Sequence, residues 1–447
     1  MKLDPHLPQL PSIGELLEHP RVKSVVARIN GSTLAHRAAG FLEELKSSLT
    51  ERAGRIEMPS VSQMAERFAR RLLGEPPSSG PVINATGLVV GHPDLSPPLA
   101  DAAVHAMTQV ASEYHRRGAA LRKAIDHELC NLAGAEAALV LSNFDAALNV
   151  VFAATTANRE VLVAEGAAGL KASIDWRRLA ARHSAVLRMS SGDAAALADA
   201  VEQGGPPAAI VRSPEAEGLA ASENVASIAR RANALFVDVA PLAGVVDPAG
   251  YSLQSVETLR ERLASGADLV IADGAGLLGG PVCGIIIGKR KLVETAAAHY
   301  LASVALLDAT PAAALHATLS AYRDDHEGSA AFAIPAWQLL STPLANLQQR
   351  AERLAALIAA SPLVASAEAR AADSPWRRTG SSSLPAPTWV IVLRPATGDA
   401  AALLARLRQR PYPIVGTEVD GAVHLDLRSV FPRWDQQLVA AFESVDA

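Results

Sequence analysis

The feature that most constrains the fold is the alternation of short apolar runs with helical patterns between Val82 and Leu307. The apolar runs span residues 137–141, 160–163, 185–189, 208–211, 235–239, 269–271 and 283–287. Each run has the length of a strand, and the stretches between them place apolar residues at helical intervals. Six or seven short strands separated by amphipathic helices predict a mostly parallel sheet that is covered by helices on both faces.

The segment before this α/β region is helical and separately organised. Residues 1–75 contain three stretches with apolar residues three and four positions apart, and Ser12 is placed to cap the first helix. The Pro, Gly and Ser residues that follow break the pattern, so we expect a linker at residues 76–81. The large α/β domain is then predicted to span residues 82–308.

The segment after the α/β region begins with a long alanine-rich helical stretch, so residues 309–447 are predicted to form this helix and a small α+β domain. Asp420 and Gly421 lie between two alternating apolar runs, which predicts a β-hairpin. The segment Ala371–Pro387 is rich in Ser, Pro and Gly, and we expect a mobile loop there.

The composition excludes several classes of protein. Hydrophobic residues make up 49% of the chain and charged residues 19%, and the formal net charge of −5 gives no global basic field for nucleic acid. No apolar run has membrane-spanning length and no apolar segment follows the first residues, so we expect no membrane association and a cytoplasmic location. Cys130 and Cys283 are isolated, and none of His92, His115 and His127 has a Cys or carboxylate at ligand spacing, so no metal site is predicted.

A glycine-rich loop, Asp273–Pro281, lies between two predicted strands and reads Asp-Gly-Ala-Gly-Leu-Leu-Gly-Gly-Pro. It resembles the cofactor loop of bacterial selenocysteine synthase, the L-seryl-tRNA(Sec) selenium transferase family. There Ser-Gly-Asp-Lys precedes Leu-Leu-Gly-Gly-Pro, and the lysine holds pyridoxal phosphate as a Schiff base. The resemblance extends in order along nearly the whole chain, through residues 10–13, 82–87, 133–137, 277–281, 284–289 and 425–428. It implies the type I fold of pyridoxal-phosphate-dependent transferases, with a mostly parallel seven-stranded sheet between helices.

The resemblance also implies that the cofactor site has lost its chemistry. Gly276 stands at the lysine position, and glycine has no side chain that could form the Schiff base. The turn that would hold the cofactor phosphate contains Asn143, a candidate hydrogen-bond donor, and Asp145, whose carboxylate would repel the phosphate. We expect Asp145 to cap a helix in an empty pocket.

The resemblance places the family's three oxyanion-binding arginines at Ser96, Ser303 and Leu306, so all three guanidinium groups are lost. Asp238 lies where the fold places the carboxylate that pairs with the pyridinium nitrogen. It is interpreted either as a vestigial cofactor contact or as a strand-terminal Asp bonded to neighbouring N–H groups. The absence of the lysine favours the second interpretation.

Two functions follow from the resemblance. The first is a non-catalytic pseudoenzyme with a binding or assembly role, without catalytic residues and without a cofactor. The alternative is an active pyridoxal-phosphate-dependent transferase or lyase that holds the cofactor non-covalently or through another residue. The resemblance further implies a homo-oligomer, either a dimer or a larger ring. It leaves tRNA binding open without indicating it, because residues 1–75 carry 11 Lys and Arg against 9 Asp and Glu.

Overall fold

The computed structural model describes most of the 447-residue chain. The described residues are 10–20, 22–23, 31–51, 60–72, 80–115, 119–167, 172–324, 330–380, 382–410 and 412–443. Their contacts divide the chain into two compact units, Met1–Val82 and Ile83–Ala447.

The described part of the first unit includes three helices that the sequence predicts. They are α1 (Ile13–Glu18), α2 (Gly31–Glu51) and α3 (Val61–Leu72). Ser12 caps α1 by accepting a hydrogen bond from the Glu15 backbone N–H, and the Glu15 side chain accepts one from the Ser12 N–H in return. Most of the predicted linker at 76–81 lies outside the described residues, as do residues 73–75.

The second unit opens with the elements of a large α/β sheet. In chain order they are β1 (Ile83–Asn84), α4 (Asp101–Ser112), α5 (Ala119–Ala133), β2 (Ala137–Leu141), α6 (Phe144–Thr155), β3 (Glu160–Glu165), α7 (Trp176–Arg182), β4 (Val186–Ser191), α8 (Ala194–Gly204), β5 (Ala209–Arg212), α9 (Ser222–Arg231), β6 (Leu235–Val239), α10 (Leu259–Ala264), β7 (Leu269–Asp273), β8 (Gly284–Gly288), α11 (Arg290–Ala298) and α12 (Tyr300–Val304).

The central sheet has seven strands in the order β2-β8-β7-β6-β5-β3-β4. Strands β3 to β7 run parallel, whereas β8 is antiparallel to both β2 and β7. All seven predicted runs form strands, so the predicted mostly parallel sheet is confirmed. The carboxyl ends of β5, β6 and β7 therefore meet at one edge, where open α/β sheets bind their ligands.

The remaining elements form four helices and a small α+β region. They are α13 (Ala309–Arg323), α14 (Ala330–Ala333), α15 (Pro335–Leu340), α16 (Leu344–Ile358), β9 (Val364–Thr379), β10 (Ser382–Pro395), α17 (Ala400–Arg408), β11 (Ile414–Val415), β12 (Thr417–Val419), β13 (Ala422–Asp426) and α18 (Asp435–Ala440). Helix α13 packs against α4 and α5, and its Leu315 and Leu319 lie in the core beneath the large sheet. The domain boundary at 308/309 stays a prediction.

The second sheet has the order β12-β13-β10-β9. The predicted hairpin at Asp420 and Gly421 is confirmed, because both residues have positive φ and join β12 to β13. The mobile loop predicted at 371–387 is wrong: this segment forms most of the long β9–β10 hairpin. Pro375 is tolerated because β9 is an edge strand, and Pro385 and Pro387 because they lie in the part of β10 that does not pair with β13.

Within the described ranges, every helix is too short or too polar to cross a membrane.

Candidate functional site

The glycine-rich loop closes directly onto the segment that follows β6. The Gly276 backbone N–H donates to the Asp273 carbonyl, and the Leu277 N–H donates to the Leu242 carbonyl at 3.4 Å. A Cβ placed on Gly276 would lie 2.6 Å from the Pro241 carbonyl oxygen and 2.9 Å from the Leu242 Cα. Both are backbone atoms, so a side chain at 276 requires the chain to move.

Two aromatic residues from the C-terminal helices support the loop from behind. The Tyr322 hydroxyl donates to the carbonyls of Leu277 and Leu278 at 3.2 and 2.9 Å, and the Trp337 indole N–H donates to the Leu277 carbonyl at 3.0 Å. Both aromatic side chains are buried. These hydrogen bonds hold the loop in place against the C-terminal helices.

The first turn of α6 lies where the family would hold the cofactor phosphate. Asn143 caps this helix, since its Oδ1 accepts a hydrogen bond from the Ala146 N–H at 2.8 Å. The expectation that Asp145 caps the helix is wrong, because Asn143 does so and Asp145 is exposed in the first turn. Burial, together with the charge of Asp145, raises the pKa of Asp273. Asp145 thus places a carboxylate in the first turn of a helix whose end would otherwise favour an anion.

Asp238 does not bond to neighbouring backbone N–H groups, as the second interpretation expected, but to two arginines. Arg212 is its register partner on the adjacent strand and forms a bidentate pair, with Nε 2.9 Å from Oδ1 and Nη2 2.7 Å from Oδ2. Arg262 Nη1 lies 3.0 Å from Oδ2. The side chains of all three residues are 1% exposed.

These residues belong to a larger buried charge network. Arg212 also contacts Glu257, Arg262 contacts Glu217, and Glu217 contacts Arg377 of the β9–β10 hairpin. Burial alone would raise the pKa of Asp238, but the two guanidinium groups hold it below its usual value. Burial would likewise raise the pKa of Glu217, and Arg262 and Arg377 lower it. Asp238 and Glu217 are therefore ionised.

The sequence did not single out Arg212, Arg262 or Arg377. One signal was present, because Arg212 directly follows the apolar run 208–211 just as Asp238 ends the run on the neighbouring strand. Charged residues at the ends of adjacent parallel strands lie side by side. Nothing comparable marks Arg377, which reaches Glu217 from 160 residues further along the chain.

The positions assigned to the lost arginines are all exposed. Leu306 forms an isolated bridge with Leu141 at the end of β2, and the Ser303 hydroxyl donates to the Tyr300 carbonyl at 2.7 Å. Ser96 lies in the extended segment before α4. None of the three is a cation, and their assignment to an oxyanion site stays a prediction.

Comparison with known proteins supports the resemblance. A family model described as L-seryl-tRNA selenium transferase matches residues 218–431. The L-seryl-tRNA(Sec) selenium transferase of Moorella thermoacetica is 29% identical over 458 residues, which cover 97% of this chain and 96% of that protein. The Yersinia enterocolitica protein of the same name is 28% identical over 463 residues, covering 96% of this chain and 97% of the relative.

A solved structure shows the same fold. D-Glucosaminate-6-phosphate ammonia-lyase superimposes with a TM-score of 0.58 at 19% identity, over 86% of this chain and 97% of that protein. At this identity the similarity establishes the fold alone. It agrees with the predicted type I fold of pyridoxal-phosphate-dependent transferases.

The expectation that the chain has no cofactor is wrong. The family and the fold are those of pyridoxal-phosphate-dependent enzymes, and they point to pyridoxal phosphate. The residues at the family's cofactor positions do not fit an anchored cofactor, however. Gly276 has neither an amine nor space for a side chain, and the Asp238 carboxylate already accepts three hydrogen bonds from arginine.

The ordered motifs, the sheet topology and the relatives that span nearly the whole chain agree with one another. The chain is selenocysteine-synthase-like, with similarity to the L-seryl-tRNA(Sec) selenium transferase family along nearly its whole length.

Proposed function

We propose that this protein is a non-catalytic member of its family, with a binding or assembly role. The observation that carries the proposal is the packing at Gly276, where the backbone of Pro241 and Leu242 occupies the space a lysine side chain would need. A lysine was thus not simply exchanged for glycine on an unchanged backbone. The proposal concerns the covalent anchor and the reaction, and it is compatible with pyridoxal phosphate bound non-covalently.

The arginine pair on Asp238 supports the same proposal. A carboxylate that stabilises a protonated pyridine nitrogen must pair with that nitrogen. Here Arg212 uses both carboxylate oxygens in a bidentate pair that is buried from water. Breaking such a pair leaves an uncompensated buried charge, which costs about 3–5 kcal/mol. A cofactor nitrogen would have to overcome this cost to reach Asp238.

An assay of selenium transfer tests the proposal. The purified protein is incubated with pyridoxal phosphate, seryl-tRNA(Sec) and selenophosphate, and the aminoacyl group is identified by mass spectrometry. The Moorella thermoacetica relative serves as the positive control. We expect selenocysteyl-tRNA with the relative and none above background with this chain. Formation of the product in proportion to the amount of this protein would refute the proposal.

The alternative function is an active pyridoxal-phosphate-dependent enzyme that does not use a lysine at position 276. The similarity to the family and to its fold favours this alternative, because both point to pyridoxal phosphate. An absorbance spectrum taken with added pyridoxal phosphate and a panel of amino acids distinguishes the two. Turnover of a substrate with spectral change supports the alternative, whereas a static cofactor spectrum supports the non-catalytic proposal.

We also propose that the chain forms at least a homodimer. Three apolar side chains near the end of β2 support this, because Tyr300, Val304 and Leu306 are 70%, 78% and 41% exposed within seven consecutive residues. Clustered exposed apolar side chains mark interaction surfaces. The cytoplasmic location and the open question of tRNA binding stay predictions.

A further inference from the structure

A cavity of about 280 Å³ lies at the same edge of the sheet as the charge network. Its walls come from the loop after β5, from the segment before α10 and from the β9–β10 hairpin, and they include Arg212, Glu217, Ser255, Glu257, Arg377 and Ser383. Asn143, Asp273 and Gly276 do not line it. Asp238 does not line the cavity either, although it pairs with Arg212, which does.

Two of the three buried arginines use all three of their guanidinium nitrogens within the protein. Arg212 donates through Nε and Nη2 to Asp238, through Nη2 to Glu257 and through Nη1 to the Ala220 carbonyl. Arg262 donates through Nε to the Glu257 carbonyl, and its Nη1 and Nη2 contact Asp238 and Glu217. Every guanidinium nitrogen of these two residues is used inside the protein.

Arg377 differs from them, because it lines the cavity and has guanidinium N–H groups that no described residue accepts. Its Nη2 donates to Glu217, while its Nε is buried and has no partner among the described residues. The residue is 5% exposed. A buried donor without an acceptor costs about 1–3 kcal/mol, and a guanidinium carries five N–H groups. Because Arg377 lines the cavity, an oxyanion there would pair with this guanidinium.

The carboxylates, by contrast, are the charges that reach the cavity surface. The side chains of Glu217 and Glu257 are 18% and 29% exposed, whereas those of Arg212 and Arg377 are 1% and 6% exposed. A carboxylate has about four lone-pair sites. Glu217 accepts from Arg262 and Arg377, and Glu257 accepts from Arg212 and from the N–H and hydroxyl of Ser222. Each carboxylate therefore keeps some acceptor capacity for an ammonium group.

The network is also balanced in charge. Its cations are Arg212, Arg262 and Arg377, and its anions are Asp238, Glu217 and Glu257. A ligand of net charge would leave a buried charge without a counter-charge, which is costly. A ligand with one cationic and one anionic group keeps the charge balance. Its anionic group can accept from Arg377, and its cationic group can donate to Glu217 and Glu257.

We propose that this cavity binds a free α-amino acid. Its carboxylate pairs with the Arg377 guanidinium, and its ammonium group lies against Glu217 and Glu257. The hydroxyls of Ser382 and Ser383 on the hairpin wall are further hydrogen-bonding groups. This site goes beyond the non-catalytic proposal and does not depend on it, since none of its residues is assigned to the cofactor.

Calorimetric titration of the purified full-length protein with each standard amino acid tests the site. For the amino acid that binds best, the amine that lacks the carboxylate and the acid that lacks the amine are titrated in parallel. We expect at least one amino acid to bind, and both truncated compounds to bind at least about tenfold more weakly, the effect of losing one charge-assisted hydrogen bond. Absence of binding by every amino acid, or equal binding by either truncated compound, would overturn the proposal.

Matched variants locate the binding. Arg377→Lys keeps the charge beside Glu217 but removes the Nε donor, and we expect it to weaken binding at least about tenfold. Arg350→Lys is the control, because Arg350 is a similarly paired arginine that contacts Asp435 away from the cavity. Ser383→Trp places a large side chain at the exposed rim and leaves the ion pairs intact. If neither Arg377→Lys nor Ser383→Trp weakens binding relative to Arg350→Lys, the cavity is not the site.

Discussion

At the residue scale, the non-catalytic proposal rests mainly on Gly276. The sequence shows that Gly276 lacks an amine, but it cannot show whether the neighbouring backbone still leaves room for one. The structure adds this, because the Pro241 carbonyl lies 2.6 Å from the position of a Cβ. Real Cβ contacts are not this short, so position 276 now requires glycine for packing as well.

We predict that Gly276→Ala destabilises the fold. A single methyl group forced against backbone atoms costs about 1–3 kcal/mol by overpacking. The measurement is the free energy of unfolding in urea. Gly250→Ala is the matched control, because a Cβ at Gly250 meets no atom within 4 Å and its φ is not positive. Equal stability of the two variants would show that position 276 has room for a side chain.

Asp238 illustrates what a sequence cannot reveal about a polar site. Its position at the end of a strand is predictable, but the partner of its carboxylate depends on the register between β5 and β6 and on α10. Arg212 and Arg262 could each have pointed to solvent on the sequence alone. Only the packing of the elements brings both guanidinium groups onto one carboxylate.

We predict that Asp238→Asn costs about 3–5 kcal/mol near neutral pH, because it leaves two buried arginines short of a counter-charge. The folded state holds the pKa of Asp238 below its unfolded value of about 3.9. Stability from this pair is therefore complete above that pH and is lost as the pH falls through the folded pKa. Denaturant unfolding of the wild type and of Asp238→Asn is measured from neutral to acidic pH. The difference between their free energies of unfolding should become smaller only at acidic pH.

Asp199→Asn is the control for this series, since Asp199 is exposed on α8. Such surface changes usually stay within about 0.5 kcal/mol. If the difference in free energy of unfolding between wild type and Asp238→Asn stays unchanged in strong acid, the charge of the Asp238 carboxylate does not stabilise the fold.

At the element scale, the hairpins separate what the sequence predicts well from what it predicts poorly. The Asp420–Gly421 turn was predictable because both residues tolerate positive φ, as the tight turn requires. The β9–β10 hairpin was not, since the prolines within Ala371–Pro387 resemble a loop until the edge position of β9 is known. That hairpin places Arg377 in the charge network. Because the hairpin was not predicted from the sequence, this member of the network was not predicted either.

We predict that Gly421→Ala costs about 1 kcal/mol, because φ is +72° at this position and an L-residue is strained there. Nothing lies within 4 Å of the added Cβ, so the cost comes from the backbone alone. Urea unfolding measures it. A cost below that of Gly250→Ala would mean that the turn does not need a glycine.

At the scale of the whole molecule, the sequence predicted the sheet and its layers because seven apolar runs fix the strand positions. It did not predict that the long helical stretch after residue 309 divides into four helices. The first of them, α13, lies against α4 and α5, which are distant in sequence. Contacts between helices that are distant in sequence determine where a domain ends. The local amino-acid composition does not reveal such contacts.

We predict that Val304→Asp converts the dimer to a monomer, because it places a charge in the exposed apolar cluster. Multi-angle light scattering should give the wild type at least twice the chain mass of 46.6 kDa and the variant a lower mass. Val186→Asp, which changes an exposed valine on the edge strand β4, should keep the wild-type mass. A monomeric wild type would contradict the proposed dimer.

The most direct test of the non-catalytic account is borohydride reduction in the presence of pyridoxal phosphate, followed by peptide mass spectrometry. A cofactor anchored through a lysine would give a saturable adduct of one pyridoxyl group per chain at one residue. The account predicts no such adduct, whether or not the cofactor binds non-covalently, with the Moorella thermoacetica relative labelled in the same experiment. A stoichiometric adduct at any single side chain of this protein would contradict it.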